Sequence, residues 1–475
     1  MSDTAATLHV VSPTKTLPSK PVVLEPKRDW AFGPVTGHRT LVLFYMSVNI
    51  LLFYLVQEYL WVNSGAPVTP LEQVWSWMQL LWLAAVPMCI TLFVGMMMFR
   101  HPTQLDNVQP IMGRRVCWRI VTRGDNYSAL LSTVRRIQKE MADNPLFPYV
   151  IEIVTDTASV VIPAPADDVT YMRVPIEYET EKRTRFKARA LHYAMLHSDI
   201  LDTDWIIHLD EETQPTSSGV KGICAMIREE EHTQRLRVGQ GAMTYHRQWS
   251  THPFLTLADN VRTGMDFGPF YLQTKFGVSL VGFHGSYIVI RNDIEKATGG
   301  FDFGADGDIT EDAFWVLIAN AKGHKIRWVE GYLEEQSTQS LGDFLRQRRR
   351  WFEGLVRVVR KAPVPLRYRL GLGTMLSLWT LTSLSILYSV AHLFYGFENR
   401  DWIRFLANFS WAACATMYLI GLKANLDESG VTNPLKRWGW TLLQLVLVPV
   451  FCLMEITAAL MAIFKPHRGF HVVKK

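Results

Sequence analysis

The sequence predicts an α/β domain inserted between two clusters of membrane-spanning helices. Three observations carry that reading. Apolar runs of bilayer length gather at both ends of the 475-residue chain. A polar, charged stretch from His101 to Pro365 separates them and is long enough for one sizeable core. Within it, short apolar and β-branched runs alternate with helical patterns, as in a largely parallel sheet covered by helices.

Thr40–Trp61 and Trp75–Phe99 each exceed the ~20 residues needed to cross a hydrocarbon core. Leu370–Phe397, Trp402–Lys423 and Trp438–Phe464 have the same character. The last contains Pro449 and Glu455, so a re-entrant or hairpin segment is the alternative to a plain span. Residues 1–39 are polar and read as a disordered tail. No small-residue cleavage site follows the first apolar run, which is therefore expected to be a retained anchor. Lys15, Lys20, Lys27, Arg28 and Arg39 precede that run and Arg100 follows the second, whereas loop 62–74 has no Lys or Arg. By the positive-inside rule the tail and the central domain face the cytosol. The expected organisation is a tail over 1–39, two spans within 40–99 and the α/β domain over 101–342. An amphipathic interface helix over 343–365, a span region over 370–464 and a basic tail over 465–475 follow.

Five cysteines, Cys89, Cys117, Cys224, Cys414 and Cys452, lie far apart with no CxxC pair, which argues against a disulfide framework or a zinc site. A net charge of +5, without a basic tract interleaved with aromatics, argues against nucleic acid as a partner.

In the central domain, Val116–Val121 reads as a strand, Ser128–Met141 as a helix and Tyr149–Thr155 as a strand ending at Asp156. Tyr171–Ile176 is a weaker strand, Arg185–Leu196 a helix, and Trp205–Leu209 a buried strand running into Asp210-Glu211-Glu212. Gln240–His246 and Phe283–Ile290 are expected strands flanking a helix near Leu255–Leu272. Thr310–Lys322 is a helix with Thr310 as N-cap and Gly323 as stop, and Ile326–Leu333 is a further strand. Asp343–Arg360 is amphipathic.

Ligands of such sheets sit outside the carboxyl ends of the strands, where Asp156, Asp210 and Glu212 fall. Asp210 and Glu212 stand two apart and can point to one side, offering the hard oxygens that Mg²⁺ or Mn²⁺ takes; a solvated turn is the plainer reading. Glu311 and Asp312 could simply favour a helix N-terminus, or Asp312 could act as a general base. His208 is expected to pack in the sheet, not to bind metal. In QRRRW, Gln347, Arg350 and Trp351 share one helical face, leaving Arg346, Arg348 and Arg349 for lipid phosphate or solvent.

The order of these pieces resembles the membrane-bound inverting glycosyltransferases of family 2, which include cellulose, chitin and hyaluronan synthases. That family has an Asp after the second strand, a Lys-bearing helix, a D-x-D-like pair, T-E-D and then Q-x-x-R-W ahead of membrane spans. Here Glu212 stands in the second acid position and Arg189 replaces a glycine of the Lys segment. VTRGD (Val121–Asp125), IEIVTD (Ile151–Asp156), FKARALHYA (Phe186–Ala194) and DWIIHLDEET (Asp204–Thr213) are similar to the Egghead-type β-1,4-mannosyltransferases. So are TLAD (Thr256–Asp259), GSYIV (Gly285–Val289), VEG (Val329–Gly331) and the terminal FHVVKK.

The resemblance implies a GT-A (Rossmann-like) catalytic domain and an inverting transfer of mannose from GDP-mannose to glucosylceramide in an endoplasmic reticulum or Golgi membrane. It implies Asp312 as catalytic base and Asp210 and Glu212 as ligands of Mg²⁺ or Mn²⁺. The donor side would comprise Arg123, Asp125, Asp156, Lys187, Arg189, Gln347 and Arg350. The acceptor side would comprise Trp351, Glu311, Gly285 and Ser286. A processive polysaccharide synthase, a transferase acting on a polyprenyl phosphate and an inactive membrane scaffold are the competing readings.

Overall fold

The computed structural model describes residues 37–101, 105, 107–156, 168–247, 249, 251–307 and 309–465. Most of the expected N-terminal tail and all but the first residue of the basic C-terminal tail fall outside these. Residues 37–39 of the expected tail already belong to the first helix, α1 (Gly37–Leu60), and Arg39 donates through Nε to the carbonyl of Met97 at 2.8 Å.

Helices α2 (Pro70–Trp77) and α3 (Val86–Met98) are joined by a 3₁₀ segment, Met78–Ala85, into one apolar rod. The central domain then runs β1 (Val116–Thr122), α4 (Tyr127–Asp143), β2 (Tyr149–Thr155), β3 (Val169–Arg173), α5 (Phe186–His197), β4 (Trp205–Asp210) and β5 (Gln214–Pro215). It continues through α6 (Ser217–Thr233), β6 (Val238–Thr244), α7 (Pro253–Met265), α8 (Tyr271–Phe276), β7 (Ile288–Arg291), α9 (Asn292–Ala297), α10 (Glu311–Ala321) and β8 (Ile326–Glu334). Finally come α11 (Leu341–Lys361), α12 (Leu366–Ala391), α13 (Asp401–Glu428) and α14 (Pro434–Phe464).

Among the described residues, eight strands form one mixed sheet in the order β3-β2-β1-β4-β7-β6-β8-β5. β3, β2, β1 and β4 are parallel, and β7 then enters antiparallel against both β4 and β6. Register places Thr122 opposite Thr155 and Val121 opposite Asp210, so the strand ends that carry the acids lie side by side. Separate apolar clusters cover the two faces, with Trp118, Ile120, Ile207 and Leu209 in one and Cys117, Ile206 and Trp315 in the other. The sheet also buries charge: the Arg119 guanidinium pairs with Glu152 at 2.5 Å and Glu295 at 3.1 Å. His208 reaches Glu295 at 2.7 Å, so it packs in the sheet as expected.

The Val329–Gly331 motif makes a local irregularity. β6 pairs Gln240 with Trp328 and then Ala242 with Tyr332, so β8 bulges between them. Gly331 takes φ +80° there, and a Cβ on Gly222 of α6 would come within 1.7 Å of the Glu330 carbonyl. The glycines let α6 press onto the bulge.

Among the described residues, five helices are long and apolar enough to cross a membrane: Gly37–Leu60, Pro70–Met98, Leu366–Ala391, Asp401–Glu428 and Pro434–Phe464. The hairpin that stood as an alternative for the last does not form, since α14 runs unbroken through Pro449. Its apolar length holds it together despite one lost backbone bond. α13 is the hub and packs on α7 of the central domain. A Cβ on Gly264 would meet the Met417 carbonyl at 2.3 Å, and one on Gly421 the Asn260 carbonyl at 2.1 Å. Across that seam Asn425 Oδ1 accepts from the Tyr245 N–H at 2.7 Å, its Nδ2 donates to Asn260, and Asn260 donates to Gln444 of α14.

Three further expectations shift. The weak third strand sits at 169–173, earlier than Tyr171–Ile176. The strand expected over Phe283–Ile290 forms only at Ile288–Arg291, since Phe283–Tyr287 form a loop against the acids. The helix near Leu255–Leu272 is interrupted by a π-helical turn, Asp266–Phe270, with Pro269 inside it.

Candidate active site

A cavity of 680 Å³ opens at the carboxyl ends of β1, β2 and β4. It gathers Arg123, Asp156, Lys187, Asp210, Glu212, Gly285, Ser286, Glu311, Asp312, Gln347, Arg350 and Trp351 from the set read in the sequence. Lys187 is its electrostatic centre. Its Nζ donates to Asp210 Oδ1 at 2.5 Å and to the Gly285 carbonyl at 3.3 Å, and lies 3.4 Å from Glu311 Oε1. Burial pulls the ammonium pKa down, but Asp210 and Glu311 more than offset this and raise it. Phe186, just before Lys187, takes a left-handed φ of 58°, rare for a residue with a side chain.

The acids after Thr310 face the cavity. Thr310 occupies the N-cap position without a side-chain cap bond; Glu311 is buried and Asp312 half-buried, and both line the cavity. Burial raises Glu311 from 4.5 to about 7, against the pull of Lys187 and with the help of Asp312. Burial also raises Asp312, opposed by the Ala313 N–H that its Oδ1 accepts at 2.7 Å and by Lys187. Both carboxylates are thus more basic than ordinary side-chain acids. A Cβ on Gly285 would lie 3.1 Å from Asp312 Oδ2 and 3.3 Å from Lys187 Nζ, so this wall is glycine because the acid and the lysine stand against it.

Residues 205–461 match the model of glycosyl transferase family group 2. The chain belongs to that family. It is 31% identical to "Beta-1,4-mannosyltransferase egh" of Drosophila melanogaster over 87% of this chain and 90% of that one. It is 30% identical to "Beta-1,4-mannosyltransferase bre-3" of Caenorhabditis elegans, over 83% of this chain and 86% of that one. Among solved structures, the mannosyltransferase PcManGT from Pyrobaculum calidifontis, in complex with GDP-Man and Mn2+, aligns with a TM-score of 0.46 at 13% identity. That alignment covers 84% of this chain and all of PcManGT.

Two of the expected donor residues of this family 2 glycosyltransferase stand back from the cavity. Asp125 is exposed and lies 3.6 Å from Arg123 Nε. Arg189 pairs with Asp156 and donates to the carbonyls of Tyr178 at 2.9 Å and Pro175 at 2.6 Å. Both reach the cavity only through a neighbour. Where the resemblance expected a glycine, Arg189 uses its length to brace Asp156.

Residue by residue, QRRRW differs from its expected division. Gln347, Arg350 and Trp351 line the cavity together. Arg348, expected to face lipid or solvent, is buried and paired with Asp259 at 2.5 Å and Glu455 at 2.8 Å. Only Arg346 is well exposed, 2.8 Å from Asp343; Arg349 pairs with Glu353 at 2.8 Å. The cause is α14, which delivers Glu455 to the helix face that sequence spacing left to the outside. The Trp351 ring is not bare, since the guanidinium carbons of Arg262 and Arg348 lie 4.6 and 4.5 Å from its centroid.

Sequence reasoning also passed over Glu211, His284 and Arg262, all of which line the cavity. Glu211 accepts from the Thr122 hydroxyl and from Asn126 Nδ2 at 2.8 Å, which ties it to the loop after β1. Its place inside Asp210-Glu211-Glu212 was a signal; nothing in the sequence marked Arg262.

Proposed function

We propose that this enzyme transfers mannose from GDP-mannose to glucosylceramide, forming a β-1,4-mannosyl linkage with inversion. The observation that carries the proposal is the reach of the cavity. The same space that holds Asp210 and Asp312 is lined by Met88, Met375, Trp379, Met417 and Glu455 of the apolar helices, as suits an acceptor that keeps its tail in a bilayer. The names of the relatives support mannose, and the family resemblance supports the nucleotide and the acceptor lipid. The basic residues around the first two spans support a cytosolic active site, in an endoplasmic reticulum or Golgi membrane.

Asp210 and Glu212 are the candidate ligands of Mg²⁺ or Mn²⁺. Among the described residues no cluster of three or more His, Cys, Asp and Glu side chains is placed to hold a metal. The cavity lining nevertheless carries eight carboxylates (Asp156, Asp210, Glu211, Glu212, Glu311, Asp312, Glu335, Glu455) against five Lys and Arg (Arg123, Lys187, Arg262, Arg348, Arg350). This acidic excess and its hard oxygens fit a divalent cation whose other ligands are diphosphate and water. Bound there, the ion would neutralise charge on the departing diphosphate.

Asp312 takes the proton of the acceptor hydroxyl as that oxygen attacks the anomeric carbon on the face opposite the nucleotide. Lys187 and Arg350 present positive charge to the diphosphate, and Gln347 shares the Arg350 face. Arg123, held beside Asp125, and Asp156, braced by Arg189, hold the nucleoside. Glu311, Gly285, Ser286 and Trp351 form the acceptor wall.

The test is purified, detergent-solubilised protein supplied with nucleotide sugars, with and without glucosylceramide. A mannosylated ceramide with a β-1,4 bond is expected; a long soluble polymer or a polyprenyl-linked sugar would establish a competing reading instead. Asp312→Asn should lower turnover by about 10²–10⁴-fold with donor binding retained. Near-normal turnover would remove Asp312 as the base. Excess chelator should abolish transfer and added Mg²⁺ or Mn²⁺ restore it; undiminished activity would end the metal assignment.

A further inference from the structure

His284 is built into the cavity wall by one short element. The π-helical turn Asp266–Phe270 supplies both of its supports: Asp266 Oδ1 pairs with His284 Nε2, and the Phe270 ring stacks on the imidazole at 4.3 Å between centroids. Asp266 is fully buried and its other oxygen accepts the Met243 N–H at 2.9 Å, so both carboxylate oxygens act as acceptors. A ring that carries a single proton and turns its Nε2–H to that carboxylate presents Nδ1 as an acceptor. Nδ1 has no hydrogen-bond partner among the described residues, and the side chain keeps 12% of its exposure, on the cavity it lines. The next residue, Gly285, is the one pressed against Asp312 and Lys187.

We infer that His284, oriented by Asp266 and Phe270, is a specificity-determining residue for the acceptor. Its Nδ1 accepts a hydrogen bond from a hydroxyl of the acceptor sugar, next to the hydroxyl that Asp312 deprotonates, and so fixes which oxygen is presented to the base. No bond to His284 forms or breaks in the transfer. The inference rests on the proposed lipid-linked sugar acceptor.

Two variants separate this role from a structural one. His284→Gln places its amide at the Nε2 position and keeps a donor to Asp266, but has nothing at Nδ1. His284→Asn places an amide oxygen near Nδ1 and cannot reach Asp266. With full-length protein, GDP-mannose and glucosylceramide in mixed micelles, His284→Gln should raise the acceptor KM about three- to tenfold with the donor Kd unchanged. His284→Asn should recover part of that loss. A structural role predicts the reverse order, with His284→Asn the more damaged. That order, or an unaltered acceptor KM in both variants, would overturn the inference. Failure of the wild-type protein to mannosylate the lipid at all would instead sink the functional proposal on which it rests.

Discussion

Lys187 separates two groups of acids that would otherwise repel one another. It holds Asp210 of the sheet edge on one side and Glu311 on the other, and its charge counters the burial that lifts Asp312. The sign for catalysis follows. A general base must be ionised, so turnover should rise with pH along a limb set above the ordinary carboxylate range, because burial raises both Asp312 and Glu311. Lys187 lowers both carboxylates, so Lys187→Met should move that limb to still higher pH, whatever it does to the maximal rate. A pH profile of kcat for the two proteins checks this; an unmoved or lowered limb would contradict it. None of this coupling was legible in the sequence, where Lys187 was one of several helix charges more than a hundred residues from Glu311.

At the scale of elements, α11 is a strut between the central domain and α14. Arg348 lies inside it, pairing Asp259 of α7 and Glu455 of α14 while stacking on Trp351 and Phe344. Removing one member of a buried ion pair leaves the other charge uncompensated, at about 3–5 kcal/mol. Arg348→Ala should therefore lower the melting temperature sharply in detergent. Arg346→Ala, which breaks only an exposed pair with Asp343, should cost about 0–1 kcal/mol. Equal shifts for the two would refute the strut. The helix spacing of QRRRW correctly grouped Gln347, Arg350 and Trp351. It could not assign Arg348, because the counter-charge arrives from a helix 107 residues later.

For the whole molecule, the catalytic domain and the apolar helices form one packing unit. Leu257 and Ala258 of α7 are buried in the same apolar cluster as Ala412, Met417 and Ile420 of α13, and the Asn425–Asn260–Gln444 chain crosses the seam. A fragment carrying residues 101–365 alone would expose that apolar face and leave buried polar groups without partners. It should sediment with aggregates without detergent and bind no donor nucleotide. A soluble, monomeric fragment with full donor affinity would show that the spans are a mere anchor.

By itself the sequence determined the alternation that makes the sheet, the apolar runs that make the five long helices, and the acids that fall at the strand ends. Those follow from local periodicity and from where apolar runs stop, and most strands and helices lie within two or three residues of their expected limits. Tertiary structure alone decided which charges meet. It paired Arg348 inward, set Arg189 behind Asp156, tied Glu211 to the β1 loop and packed His284 against a π-helical turn. A buried charge is satisfied by partners from distant elements, and spacing along one chain segment carries no information about what those elements bring.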